Sequence, residues 1–332
     1  MNSIKTRSGK DQQPLNFEKN KNSKKYKIAE LSGWSKPNSL FRGILLIFIT
    51  FFIFYFLFQK IDLRQVNQDL KNISFKTWII ASILSFSFLI LSAIRWHIII
   101  KVMGNHISIK RCILIILGIW PLSSISPSKS GDLLKAFSLR KEISAMKVAG
   151  TVITERILDL VMLSLFAFVG GLLLDQKLIT FISGGIILLI ISIVCLSRFS
   201  HMLSINESVK YKLSDLLHSL TLLTQKPFLL SLILLLTALN WFASIIQTKI
   251  LFDSVGASVT LGFTTTALPI AIFAGLLPIT FGGMGTRDSA IVLLFSSFST
   301  TSQSLSVAIL YSFFGYWLLA VFGIPFIRKA LN

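Results

Sequence analysis

Apolar residues run along this chain in long blocks. Residues 43–58, 77–94, 178–197 and 227–248 carry no charged side chain, and they approach or reach the ~17–25 residues that a spanning helix needs. Further apolar blocks cover 112–128, 148–174, 263–298 and 304–327. The blocks are continuous rather than alternating, so they predict helices and not the strands of a barrel. The expected architecture is an all-α integral membrane protein with about eight hydrophobic membrane segments. Two of these, near 112–128 and 276–295, are broken by proline, glycine and charge. They are expected to be interrupted or re-entrant hairpins.

Composition agrees: 53% of the residues are hydrophobic and 14% charged, against about 25% charged in an ordinary soluble domain. The net charge of +19 first suggests nucleic acid, but its placement points to a membrane surface. Ten Lys and Arg fall in residues 1–42, a polar stretch without apolar periodicity. It is expected to be a disordered, basic, cytoplasmic tail that orients the first helix. Cys112 and Cys195 both sit in apolar blocks, so neither a disulfide framework nor a metal site is expected.

Basic residues order the segments. With the tail inside, 43–58 crosses outward and 77–100 returns, which places Lys101, Lys110 and Arg111 in the cytoplasm. Lys129, Lys135, Arg140, Lys141 and Lys147 follow the 112–128 block and also belong inside. That segment must then enter and leave on one side. Residues 148–174 cross outward, 178–197 return, and 204–223 read as an interfacial helix. Residues 227–252 exit, the second hairpin enters from outside, and 304–327 return to Arg328 and Lys329. Both termini are cytoplasmic, in the cell inner membrane. Residues 43–175 and 176–332 then form two membrane repeats of opposite sense. Pro127 and Gly131 are four apart, as are Pro278 and Gly282, and a cation follows each pair (Lys135, Arg287). Inverted repeats with interrupted helices are a transporter's architecture.

The interruptions carry the candidate chemistry. In "LLPITFGGMGTRD", proline removes a donor and glycines favour positive φ, so helix hydrogen bonding lapses from Pro278 to Gly285. Backbone broken at membrane depth survives only where protein or water covers it. Helix is expected to resume at Thr286 as N-cap, leaving the amides of Arg287, Asp288 and Ser289 free to cradle a phosphate with the Arg287 guanidinium. Close helix packing by Gly282, Gly283 and Gly285, with Arg287 paired to Asp288, is the competing reading. In "PSKSGDLLKAF", Ser130 or Asp132 is a candidate cap and Lys129 and Lys135 are candidate anion ligands. Glu155, Arg156 and Asp159 lie within a crossing, where each charge costs ~2.5–3.5 kcal/mol unless it faces protein or water. They read either as an internal clamp or as headgroup-binding and coupling groups. Arg95 is expected to snorkel to an interface. His97, His106, His201 and His218 are scattered, with no hydrolase or metal-site grouping and no nucleotide fingerprint. No cofactor or metal is expected, and no enzymatic activity.

"SPSKSGDLLKAF", "TVITERILDLV" and "LLPITFGGMGTRD", in that order, resemble the flippase-like transmembrane domain of lysylphosphatidylglycerol synthases and its stand-alone relatives, over residues ~40–328. In the full-length relatives this domain translocates an aminoacylated phospholipid that a separate cytosolic transferase makes. No such transferase lies in this sequence, so lipid aminoacylation is not expected of it. The resemblance carries its charged motif positions onto Asp132, Lys135, Glu155, Arg156 and Arg287. The family commonly has arginine where Lys135 stands and glutamate where Asp288 stands, which leaves the headgroup open. The expected function is a membrane lipid translocase handling a phosphate-bearing or anionic lipid, with an enzyme supplying that lipid as a partner. The alternatives are a membrane-embedded lipid-modifying transferase and a non-transporting partner of a cell-envelope enzyme.

Overall fold

The computed structural model describes residues 62–127, 129–198, 207–280 and 282–332, with the helical positions Phe48, Phe52 and Tyr55; for 193–198 and 207–215 it describes the backbone alone. The basic tail and most of the first expected span lie outside the described residues. The helices that follow, in chain order, are α1 (Leu63–Lys71), α2 (Phe75–Val102), α3 (Ile109–Ser124), α4 (Leu134–Ser138), α5 (Ala145–Leu173), α6 (Lys177–Arg198), α7 (Glu207–Thr224), α8 (Pro227–Ser254), α9 (Leu261–Leu276), α10 (Thr286–Leu294) and α11 (Thr301–Leu331). Among the described residues every regular element is helical, as the apolar blocks predict. Four of them, α2, α5, α8 and α11, have 28 to 31 residues and suit a full crossing, since ~1.5 Å per residue makes them longer than a ~30 Å hydrocarbon core. Side chains such as Phe75, Phe181 and Phe228 stand fully on the outer surface, where lipid tails rather than water are their solvent.

Both expected hairpins are present and enter from opposite ends. Ser108 caps α3 by accepting from the Arg111 amide at 3.3 Å, and α3 then runs against the last part of α11. Gly118 lies against Phe326 and Ala330 so closely that a methyl group would meet them at 2.6–2.9 Å. At the far end of α3 the Ser124 hydroxyl donates to the Tyr316 carbonyl at 3.5 Å, only halfway along α11. The chain reverses there. Gly131 packs back on Leu122 and Ser123, and Lys141 returns to donate to the Asn332 carbonyl at 3.3 Å. A two-pronged Arg111–Glu142 pair ties entry to exit, and its hydrogen bonds hold the Glu142 carboxyl below the usual carboxylate range.

The second hairpin mirrors this from the other end. Phe263 near the start of α9 packs its ring edge-on against Phe295 and tilted against Phe298, just beyond α10, at 5.4 and 4.4 Å between centroids. At the same level Gln303, in the first turn of α11, donates to the Val255 carbonyl at 2.9 Å. At the inner turn Gly275 meets Gly283 and the Arg287 stem. Here helix hydrogen bonding lapses from Leu277 to Gly285, where proline and glycine predict it.

Two elements differ from the sequence reading. The stretch carrying Arg64 and Lys71, which no apolar block covers, contains an amphipathic helix, α1. Asp62 caps it, and its buried Asp69 accepts from Ser306 on α11 at 3.2 Å. Nine residues hold too few apolar positions for that helix to stand out beside the long blocks. The second, α7, forms where an interfacial helix is expected, but its C-terminal part is buried against α5, with the Thr154 and Ser219 hydroxyls 2.8 Å apart. Thr154→Val leaves Ser219 buried without its partner. The expected cost is ~1–3 kcal/mol, read from thermal unfolding of the purified protein, with Thr154→Ser close to wild type.

Candidate functional site

The tips of the two hairpins touch. The Gly282 amide donates to the Ser126 carbonyl at 3.2 Å, and a methyl group on Gly282 would collide with the Ser124 carbonyl. Gly282, Gly283 and Gly285 all have positive φ, at 57, 76 and 100°, so the conformation that only glycine adopts freely is used three times in four residues. Gly283 sits four residues before Arg287 and packs on its own hairpin's first arm, as Gly131 sits four before Lys135 and packs on α3. The structural equivalence is therefore Gly131 with Gly283, one residue away from the Pro–Gly spacing read in sequence. Pro127 and Pro278 remain at the two turns.

In the first tip neither Ser130 nor Asp132 acts as a cap; Ser126 supports the turn instead. Its hydroxyl accepts from the Gly131 amide at 2.7 Å, and a short 3-10 turn, Ser130–Leu133, follows without a side-chain cap. Lys129 is held in the left-handed region at φ 54°, an unusual conformation for a residue with a side chain. Its ammonium lies 4.2 Å from the centre of the Tyr316 ring and 5.6 Å from that of Trp120. Among the described residues no carboxylate lies within ion-pair distance of it.

Helix α5 receives the hairpin's other charges. Lys135, 4% exposed, donates to Glu155 at 2.7 Å. Arg156 pairs with Asp132 and, at 3.4 Å, with Asp159. Asp159 in turn accepts from Arg95 at 2.9 Å and from the Trp241 indole at 3.1 Å. Glu155, Arg156 and Asp159 are thus each ion-paired, the geometry that an internal clamp requires. Arg95 does not snorkel: it is 2% exposed, because a buried carboxylate four residues from Glu155 offers it a better partner than an interface does.

The second tip departs from the expected cradle. Helix resumes at Thr286, but its N-cap is Gly285, and the Arg287 and Ser289 amides are already donated to the Gly283 and Gly285 carbonyls at 2.9 and 2.8 Å. The Asp288 carboxylate closes the turn by accepting the Gly285 amide at 3.0 Å. Two of the three expected amides are thus taken, and the guanidinium stands beside them. Arg287 is 1% exposed, paired with Asp288 at 2.9 Å and with the Ser312 hydroxyl, while its Nη1 has no hydrogen-bond partner. The Tyr311 and Tyr316 rings flank it at 4.9 and 4.7 Å. Residues five apart on an α-helix point ~140° away from each other. A π-helical turn at Phe313–Trp317 adds the residue that brings both rings to one side.

Two adjoining cavities, of about 100 and 210 Å³, lie between the tips, α2, α5, α8 and α11. Lys129, Arg156, Asp159, Trp241 and Tyr316 border both; Asp132, Lys135 and Glu155 border the first, Gly282 and Arg287 the second. Gly283, Gly285, Asp288, Pro127 and Pro278 border neither, and shape or support the tips instead. Arg95, Trp241, Tyr311, Tyr316, Asn240 and Gln247 were not legible as site residues. The signal for the last pair was present: Asn240, Ser244 and Gln247 are spaced four and three apart, a polar stripe on one face of an otherwise apolar span. Asn240 Oδ1 and Gln247 Oε1 are buried acceptors without a partner.

Two half-length hairpins closing on a buried charged chamber make this a multi-span membrane protein with a polar compartment between its crossings. The chain belongs to the lysylphosphatidylglycerol synthase TM region family, which it matches over residues 43–323. It is 24% identical over 312 residues to the UPF0104 membrane protein MJ1595 of Methanocaldococcus jannaschii, a match covering 85% of this chain and 93% of that protein.

Proposed function

We propose that this protein moves a phosphate-bearing or anionic lipid between leaflets, passing its headgroup through the chamber where the two hairpin tips meet. Residues 43–175 and 176–332 act as inverted repeats in the inner membrane, with both termini cytoplasmic. One observation carries the reading: the Lys129 ammonium is held at the tip contact, bordering both cavities, with aromatic faces but, among the described residues, no carboxylate against it. A cation so placed is incompletely compensated inside a protein, and an incoming anion supplies what is missing. Arg287, with a free Nη1, is the second donor. Glu155 and Asp159, which a lipid-modifying transferase would need as acid and base, are each occupied by a cation. That favours transport over chemistry.

The test is leaflet exchange by the full chain in vesicles containing acyl-labelled phosphatidylglycerol, followed by the accessibility of the label to a membrane-impermeant quencher. Lys129→Gln is expected to slow exchange roughly tenfold or more, the scale of one charged hydrogen bond, with the melting temperature unchanged. Exchange at the wild-type rate in this variant would remove Lys129 from the path and the reading with it.

A further inference from the structure

The charges around the chamber form an inventory with a remainder. Lys135 is matched by Glu155, Arg156 by Asp132, Arg95 by Asp159 and Arg287 by Asp288. Lys129 alone is unmatched among the described residues, whose charges around the chamber therefore sum to one net positive. Helix dipoles do not alter this. At each tip one helix ends and another begins, so the partial negative charge of the first opposes the partial positive charge of the second. Among the described residues no histidine borders either cavity.

We infer that the chamber selects a headgroup carrying one negative charge, a phosphodiester, over a phosphomonoester dianion. This rests on the translocase reading and narrows its substrate class. Burial in a medium of low dielectric penalises net charge of either sign. A monoanion brings the chamber to neutrality. A dianion overshoots by as much as the empty chamber falls short, and the four paired cations offer it hydrogen bonds at most, Arg287 through its Nη1, and no further uncompensated charge.

Binding tests the charge rule independently of transport. The purified full chain is titrated at pH 8, where a phosphomonoester is a dianion, with short-chain phosphatidylglycerol or short-chain phosphatidic acid, and affinity is read from the rise in melting temperature. The diester is expected to bind roughly tenfold more tightly, a single increment of affinity. Asp132→Asn raises the chamber's charge by one while leaving Arg156 its Asp159 partner, and is expected to reverse the preference. Lys129→Gln lowers it by one and is expected to shift preference to zwitterionic phosphatidylcholine. Each variant is referred to its own ligand-free melting temperature, so a loss of stability does not mimic a loss of binding. Equal or tighter binding of the monoester by the wild type, or unchanged order in both variants, overturns the charge rule while leaving the exchange assay to judge translocation. Glycerophosphoglycerol, the same diester without chains, is the source control: stabilisation equal to that of the lipid would overturn a membrane substrate in favour of a soluble one. Failure of exchange alongside intact charge-ordered binding would instead sink the translocase reading.

Discussion

Glu155→Ala is expected to destabilise the protein by ~3–5 kcal/mol, because it strands a buried charge. Lys135 and Glu155 have side chains only 6% and 7% exposed, and the ammonium has little else beside it than the Trp96 ring at 5.1 Å. An ion pair at such depth contributes little relative to a well-packed apolar pair, since desolvation offsets most of the attraction, whereas removal of one member leaves the other uncompensated. The diagnostic is therefore the double variant. Glu155→Leu combined with Lys135→Met should recover most of the loss in thermal unfolding, while Glu155→Ala alone should not. If the double change is as damaging as the single one, the pair is not the source of the penalty. Recovered stability without recovered lipid exchange would show that the pair serves the passage of lipid and not only the hold on the hairpin.

Gly283→Ala is expected to be similarly damaging for a steric reason. The residue has φ 76°, where a side chain costs ~1–2 kcal/mol. The added methyl would also lie 2.5 Å from the Gly275 carbonyl oxygen and 2.9 Å from its Cα, and overpacking of that kind costs ~1–3 kcal/mol more. Gly104→Ala separates the two contributions, since Gly104 has φ 81° but nothing within 4 Å of the place its methyl group would take. Its loss should match the conformational part alone. Equal melting temperatures for the two variants would mean that the Gly275–Gly283 contact yields at no cost.

Much of this molecule could be read from single residues. Pro278 and the glycines at 282, 283 and 285 state that a helix cannot continue there, and five cations after residue 128 state that the first hairpin must return to its starting side. Both are local facts with one structural solution. The partners of buried charges are a different matter. Arg95 sits at a helix position that suits snorkelling, and only the packing of α2 on α5 brings Asp159 within 2.9 Å of it. Tyr311 and Tyr316 fall on different faces of a regular helix, and it takes the π-helical turn to unite them around Arg287. Two amides of the expected cradle are taken for a similar reason: Gly283 and Gly285 supply carbonyls as well as flexibility, and those carbonyls accept the Arg287 and Ser289 amides.

The contact between Gly282 and Ser126 also has an electrical meaning. Each hairpin reaches only partway, so wherever water follows the polar linings inward, the insulating layer thins from ~30 Å of hydrocarbon to little more than the two opposed turns. A membrane potential would then fall steeply across that septum, and a full elementary charge crossing it experiences ~2.3 kcal/mol per 100 mV. An anion bound at Lys129, as proposed, would sit in the strongest part of that field, and the cell's own voltage would then act on the headgroup.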